Sequence, residues 1–212
     1  MLATVDALLP LSLLEAVRNV DTPIDQVDTE YVDELRNKRL GLSDTIYAQI
    51  KRHNEAARRG QRTGQDEAVA LAKLIGRRPD SEAVFRAAGR YMGKQSYRTI
   101  SPVTRKLMRL LPSAMARPIA LRRAQKIAAR YLNGNVRKVG SFLLLEVPRS
   151  ITIGTAPGNI GCTYYEASLR ELLLLLIGSI GAVEHVRCTG RGEGTCEWRA
   201  DWRSFDRSAG LA

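Results

Sequence analysis

The residues best suited to chemistry lie in one short segment near the end of the chain. Two of the three cysteines and one of the two histidines of this 212-residue protein fall within HVRCTGRGEGTC, which runs from His185 to Cys196. Cysteine thiolate and imidazole nitrogen are ligands that zinc prefers in proteins. The glycines between them permit a tight loop. The segment therefore predicts a metal site, to which the third cysteine, Cys162, must be brought by the fold.

The elements around this segment provide a way to assemble the site. The flanking residues predict a β-hairpin with strands at 182–188 and 195–202. Paired strands lie about 5 Å apart, so the hairpin places Cys188 beside Cys196. Cys162 directly precedes a strongly apolar helix, and packing of that helix on the hairpin brings its sulfur to the same place. A helix N-terminus also favours thiolate over thiol.

The fourth ligand has two candidates. His185 precedes Cys188 by three residues, and an odd offset on a regular strand places two side chains on opposite faces. His185 therefore joins the site only if a bulge or twist intervenes. Glu184, at an even offset, shares the face of Cys188 without distortion. With neutral imidazole the site carries a charge of −1, and with a carboxylate −2.

Two readings without a metal stay open on the residues alone. Cys162 and Cys188 can be small buried core residues, the commonest fate of free cysteine. Alternatively, Cys188 and Cys196 can form a cross-strand disulfide. The spacing is not that of a standard zinc finger.

The rest of the chain predicts an α+β fold: a helical N-terminal region, then a small antiparallel sheet with a core helix and a C-terminal zinc-clamped hairpin. Ser43, Asp80 and the Ser101-Pro102 pair have the residue types that begin helices. Predicted helices span residues 28–37, 44–59, 66–75, 80–97, 102–111, 118–133 and 164–177. Predicted strands lie within 136–147 and at 151–153, besides the two of the hairpin.

Composition is that of a globular protein with a sizeable core. The one segment whose residues predict a domain boundary, 76–79, divides the chain into a helical N-terminal extension, residues 1–79, and a C-terminal domain, residues 80–212. The apolar start lacks the basic region and cleavage site of a signal peptide. The most apolar segment, residues 172–177, is far shorter than the ~20 residues that a helix needs to cross a bilayer. We therefore expect a cytoplasmic protein without a transmembrane segment.

Charge is distributed unevenly. The net charge is +11, and residues 83–145 contain no aspartate or glutamate. Such a segment is either a solvated basic face or a surface for an acidic partner: nucleic acid, anionic lipid or a ligand with carboxylates. The sequence has no helix-turn-helix, zinc-finger or aromatic RNA-binding pattern, which argues against nucleic acid.

The C-terminal third resembles a known family. GCTYY at 161–165, Gly178 and VEHVRCTGRGEGTCEW at 183–198 are similar to the signature of the 4-vinyl-reductase domain family, which is related to TRAPP-type trafficking subunits and to zinc-containing sensory domains of aromatic-responsive activators. In the family pattern an acidic residue is the fourth ligand. The same spacing in this chain gives His185 at that position, and the glutamate, Glu184, stands one residue earlier. The resemblance therefore implies a zinc site whose ligands are Cys162, His185, Cys188 and Cys196.

The resemblance also implies a function. Family members are usually dimeric and hold hydrophobic or aromatic ligands, so we expect a homodimeric sensory module that binds a hydrophobic small molecule, including one with acidic groups, and contains structural zinc. Reductase activity is not carried over, because no dinucleotide fingerprint follows a strand. Candidate residues for the ligand pocket are Phe142, Leu144, Tyr164, Tyr165, Leu172 and Ile180.

Two other functions fit parts of the sequence. In a tetrapyrrole (bacteriochlorophyll) pathway protein, Arg122, Arg123 and Lys126 would meet propionates and His53 would ligate the central metal. A lone helical histidine among polar neighbours is, however, typical of an exposed surface. In a TRAPP-like assembly subunit, the N-terminal helices would supply the partner surface.

No catalytic Ser-His-Asp set, carboxylate pair or phosphate loop is present in the sequence, so it offers few candidates for acid–base catalysis.

Overall fold

A computed structural model describes residues 3–22, 41, 43–179 and 181–202. The fold over these residues is α+β, as predicted. The helices are α1 (Leu8–Asp21), α2 (Asp44–Arg58), α3 (Gln65–Gly76), α4 (Ser81–Arg98), α5 (Pro102–Leu110), α6 (Ser113–Ile127) and α7 (Thr163–Ile177). The strands are β1 (Thr4–Asp6), β2 (Arg62–Gly64), β3 (Asn135–Val139), β4 (Phe142–Val147), β5 (Val183–Arg187) and β6 (Cys196–Asp201). The predicted helix at 28–37 lies outside the described residues.

Local sequence accounts for several helix ends. The Ser43 and Ser101 hydroxyls accept hydrogen bonds from the first-turn backbone amides of α2 and α5, which satisfies donors that the helix leaves unpaired. Asn133, after a π-helical turn at Ala128–Leu132, and Gly178, after α7, adopt left-handed backbone conformations that stop the helix.

Several predicted boundaries are wrong. The prediction of strand within 136–147 is confirmed, as a hairpin of two strands, whereas 151–153, predicted as a strand, forms a turn. Helix α6 begins at Ser113, with Pro118 in its second turn. Asp80 makes no capping hydrogen bond, because its carboxylate pairs with Arg78 at 2.8 Å. Strands β1 and β2, which pair antiparallel, were not predicted, since three residues are too few to establish an alternation pattern.

The larger sheet has the strand order β3-β4-β6-β5, with antiparallel neighbours throughout. Successive residues of a strand face opposite sides. Leu145 and its partner Trp198 lie on the side that we call the inner face, which packs on α7 through the contact of Trp198 with Tyr165. Leu144 and its partner Arg199 lie on the other side, the outer face.

Helix α7 is the central element of the core. It packs closely on α4, where glycines allow the two backbones to approach: a Cβ at Gly89 would lie 2.2 Å from the carbonyl oxygen of Tyr164. The hydroxyl of Tyr164 also meets Ser12 of α1 at 3.2 Å. Helices from both sides of residues 76–79 thus share one hydrophobic core, and the division into residues 1–79 and 80–212 stays a prediction.

Among the described residues, none of the helices combines the length and the apolar character that a membrane span requires.

Candidate metal centre

Three elements bring four ligand atoms together. Cys162 ends the 3-10 turn Pro157–Cys162 that leads into α7, whereas His185, Cys188 and Cys196 belong to the β5–β6 hairpin. One ligand atom from each lies within 4.8 Å of all the others. Tetrahedral Zn–S bonds of ~2.3 Å place two sulfurs about 3.8 Å apart, and the Sγ atoms of Cys162 and Cys188 are 3.9 Å apart. The four residues can therefore hold a metal ion.

A bulge in β5 brings His185 to this site. His185 pairs with Trp198, but Arg187 pairs with Glu197, so β5 advances by two residues while β6 advances by one. The extra residue reverses the alternation. His185 and Cys188 therefore share the inner face despite their odd spacing. The odd spacing of His185 and Cys188 in the sequence had predicted that a histidine ligand would need such a bulge or twist.

Glu184 is not a ligand in this arrangement. It pairs with Arg199 across the hairpin, and its carboxylate lies 2.5 Å from the Arg199 guanidinium on the outer face. The alternative in which Glu184 replaces His185 is therefore wrong, because the bulge lies beyond Glu184 and leaves its side chain facing away from the sulfurs.

The reading of a cross-strand disulfide is wrong as well. All three cysteines are free and buried. The proposed disulfide would join Cys188 and Cys196, and neither sulfur is bonded to another sulfur. The spacing of the sulfurs suits a shared ion at their centre.

Burial governs the electrostatics of the sulfurs. It raises the pKa of Cys162 well above that of a free thiol, and the neighbouring sulfurs of Cys188 and Cys196 raise it further. Burial also raises the pKa of Cys196, against hydrogen bonds from Thr189 that lower it. The favourable effect expected from the start of α7 is thus outweighed at Cys162. A divalent cation reverses this balance, because it stabilises thiolates directly.

His185 has the properties of a neutral ligand. Burial lowers its pKa, and the nearby Arg191 guanidinium lowers it further, against a hydrogen bond with the backbone of Arg187. Its ring stacks on Trp198 with centroids 4.6 Å apart, which fixes its orientation. Among the described residues its Nε2 atom is buried without a hydrogen-bond partner. A buried ring nitrogen of this kind needs another partner, and a metal ion meets that need.

The glycine-rich loop holds the sulfurs through backbone hydrogen bonds. The backbone N–H of Thr189 donates to Cys196 Sγ at 3.3 Å, and the backbone N–H of Cys188 donates to the Glu193 carboxylate at 2.5 Å. Glu193 also pairs with Arg191 at 3.2 Å. Gly192 adopts a left-handed conformation, with φ at 85°, which glycine allows at no steric cost. The glycines of this loop were expected from the sequence, but the supporting roles of Thr189 and Glu193 were not, because a loop residue gives no periodic signal.

The candidate pocket residues do not converge on one surface. Tyr164, Tyr165 and Leu172 are fully buried on α7, and the hydroxyl of Tyr165 accepts from the backbone N–H of Ile151 at 3.2 Å. Phe142 and Leu144 are half-buried on the outer face, and Phe142 packs under the Arg199 guanidinium. Strand alternation thus separates them from the tyrosines. Ile180 lies outside the described residues.

His53 differs from its predicted surface position. Its side chain is buried in α2, and its Nε2 atom accepts from the Arg52 guanidinium at 3.1 Å. Burial, with the positive charge of Arg52, lowers its pKa to about 4. The predicted exposure of His53 is therefore wrong, and its Nε2 lone pair is engaged rather than open to a tetrapyrrole metal.

A cleft that the sequence did not predict lies between α1, α2 and α4. Its volume is about 480 Å³, within the range of small-molecule sites. Leu8, Leu11, Ala57, Tyr91 and Tyr131 provide apolar and aromatic surface, and Arg58 and Arg98 add positive charge. The cleft depends on tertiary packing of distant helices, so no local sequence pattern marks it.

Comparisons with known protein families, with curated proteins and with solved structures found no match.

Proposed function

We propose that this protein is a zinc protein in which Cys162, His185, Cys188 and Cys196 hold one Zn²⁺ as a structural ion. The observation that supports the proposal most strongly is the convergence of three buried sulfurs and one imidazole within 4.8 Å. Soft thiolates with one imidazole favour zinc over magnesium or calcium, which prefer oxygen ligands.

The proposed role of the ion is to join elements that are distant in sequence. Four protein ligands close the coordination sphere, and closed zinc sites stabilise folds, whereas catalytic sites keep a position for water. Cys162 precedes the core helix, and the other ligands lie on the hairpin that follows it. Zinc would therefore fasten the β5–β6 hairpin to the start of α7.

Native mass spectrometry of freshly purified full-length protein tests this proposal. We expect one zinc per chain, and we expect Cys188→Ser to lose both the metal and thermal stability. The matched control is Ser179→Ala, a buried small residue outside the ligand set, which should keep its zinc. Full metal content in Cys188→Ser would contradict the assignment.

We further propose that the protein is a ligand-binding sensory module, in line with its resemblance to the 4-vinyl-reductase domain family. The cleft between α1, α2 and α4 supports this role, since its leucine and tyrosine side chains suit a hydrophobic molecule and its two arginines, against the single carboxylate of Asp6, suit an acidic group. The homodimer that the resemblance implies belongs to the same proposal, and native mass spectrometry reports the oligomeric state and any retained ligand together.

An aromatic sulfonate dye, anilinonaphthalene sulfonate, has the chemistry that this cleft would accept. We expect the zinc-loaded protein to bind the dye saturably and Arg98→Glu to weaken binding. Arg90→Glu, at an exposed position outside the cleft, is the control. Equal binding by the two variants would contradict a ligand role for this cleft and would leave the zinc proposal intact.

A further inference from the structure

Helix α5 exposes an apolar face to solvent. Val103, Leu107 and Leu110 are four and three residues apart, which places them on one side of the helix. Their exposed fractions are 77%, 45% and 72%, and Met115, in the first turn of α6, is 59% exposed. These four residues form what we call the apolar stripe.

The opposite side of α5 attaches the helix to the protein. Met108 is fully buried, Thr104 accepts a hydrogen bond from Arg123 of α6 at 3.4 Å, and Arg105 lies over the ring of Tyr97 at 5.7 Å. The helix is thus fixed in an orientation that points its apolar stripe outward. An amphipathic helix of a globular protein ordinarily does the reverse.

Positively charged side chains lie on the same two helices as the apolar stripe. Lys106, one residue before Leu107, is exposed on α5, and Arg122 and Lys126 are exposed on α6. Both helices lie within the segment 83–145, which contains fourteen lysines and arginines and no acidic residue. Several cations elsewhere in this segment are neutralised by carboxylates, as Arg86 is by Glu82 and Glu166. Lys106, Arg122 and Lys126 pair with no carboxylate among the described residues.

We propose that α5 and the first turn of α6 dock the protein on an anionic membrane surface. An in-plane helix of this kind inserts its apolar side chains at the boundary between headgroups and acyl chains, while lysine and arginine contact anionic headgroups. The combination distinguishes lipid from other acidic partners: phosphate contacts with nucleic acid require the cations but not an exposed row of Val, Leu and Met side chains. Charge complementarity in turn favours an anionic surface over a second, equally basic copy of the chain.

Flotation of the zinc-loaded full-length protein with lipid vesicles tests the proposal. We expect binding to vesicles containing phosphatidylglycerol, and at least tenfold weaker binding to pure phosphatidylcholine at the same lipid concentration. The double variant Leu107→Gln, Leu110→Gln should weaken binding to the anionic vesicles by about tenfold or more, because two apolar side chains no longer insert. Lys106→Glu should also weaken binding, and added salt should reduce it.

The matched control is Leu74→Gln, which removes a leucine of comparable exposure, 53%, from α3. It should bind vesicles like the unchanged protein, and circular dichroism should show all variants folded. Absence of binding to the anionic vesicles, or equal binding by the double variant and the control, would overturn the proposal. So would light scattering that reveals dimers dissociated by the double variant without vesicle binding, or duplex DNA binding that needs Lys106 but neither leucine.

Discussion

At His185, one bulge residue decides which atom completes the candidate site. Without the bulge in β5, His185 and Cys188 would face opposite sides of the sheet, and Glu184 would be the better-placed ligand. With the bulge, His185 stacks on Trp198 on the inner face and Glu184 pairs with Arg199 on the outer face. Strand register therefore places His185, and not Glu184, beside the three sulfurs.

Substitution of each candidate separates the two roles. We expect His185→Ala to lower zinc affinity by at least tenfold, since a coordinating nitrogen is removed and three thiolates remain. Glu184→Ala should keep wild-type affinity, because it loses only a surface ion pair. Competition with a chromophoric chelator measures both. Weaker zinc binding by Glu184→Ala than by His185→Ala would contradict the structure.

Buried His53 makes stability depend on pH in a defined window. Its folded-state pKa is about 4, against about 6.5 in an unfolded chain. Between pH 6.5 and pH 4, His53 is protonated in the unfolded state but neutral in the folded state. The free energy of unfolding therefore falls as the pH is lowered from 6.5 towards 4. The expected loss between pH 7.5 and pH 5 is about 2 kcal/mol.

Urea unfolding of the unchanged protein and of His53→Gln across this range measures the effect. Zinc release in acid acts on both proteins alike, so the difference between their pH profiles isolates His53. We expect the variant to lack most of the 2 kcal/mol dependence. Parallel profiles for the two proteins would mean that His53 is protonated in the fold.

The packing of α7 against α4 sets the position of the metal site, because Cys162 directly precedes α7. Gly89 permits this packing: an added Cβ would lie 2.2 Å from the carbonyl oxygen of Tyr164 and 2.8 Å from Ala167 Cβ. Since these neighbours include backbone, they cannot rotate away. The interior tolerates such overpacking poorly.

Gly89→Ala should therefore destabilise the fold by about 1–3 kcal/mol, despite the higher helix propensity of alanine. Gly181→Ala is the control, because its Cβ would meet its nearest neighbour at an ordinary 3.5 Å. It should change the free energy of unfolding by less than about 0.5 kcal/mol. Thermal or urea unfolding compares the two, and a neutral Gly89→Ala would show that the helices can separate without cost.

Across the whole molecule, the sequence predicts what local patterns encode. The α+β class, the core helix, the C-terminal hairpin and the capped starts of α2 and α5 follow from periodicity, β-forming residues and serine caps. The convergence of Cys162 with Cys188 and Cys196 follows from helix-on-sheet packing. Each of these features depends only on residues that are close in sequence, or on the packing of two consecutive elements against each other.

The remaining features depend on tertiary structure. Strands β1 and β2 are short and lie far apart in sequence, so neither carries a pattern of its own. The burial of His53 and the cleft between α1, α2 and α4 arise from packing of helices whose order in space is not encoded locally. The bulge that selects His185 over Glu184 is likewise visible only in the register between β5 and β6.

We propose that three sulfurs and one imidazole nitrogen bind a single zinc ion. X-ray absorption at the zinc edge of the purified, zinc-loaded protein tests it most directly. We expect three sulfur neighbours at about 2.3 Å and one nitrogen at about 2.0–2.1 Å, with the outer-shell scattering of an imidazole ring. A first shell composed of oxygen and nitrogen, or one with two or fewer sulfurs, would contradict it.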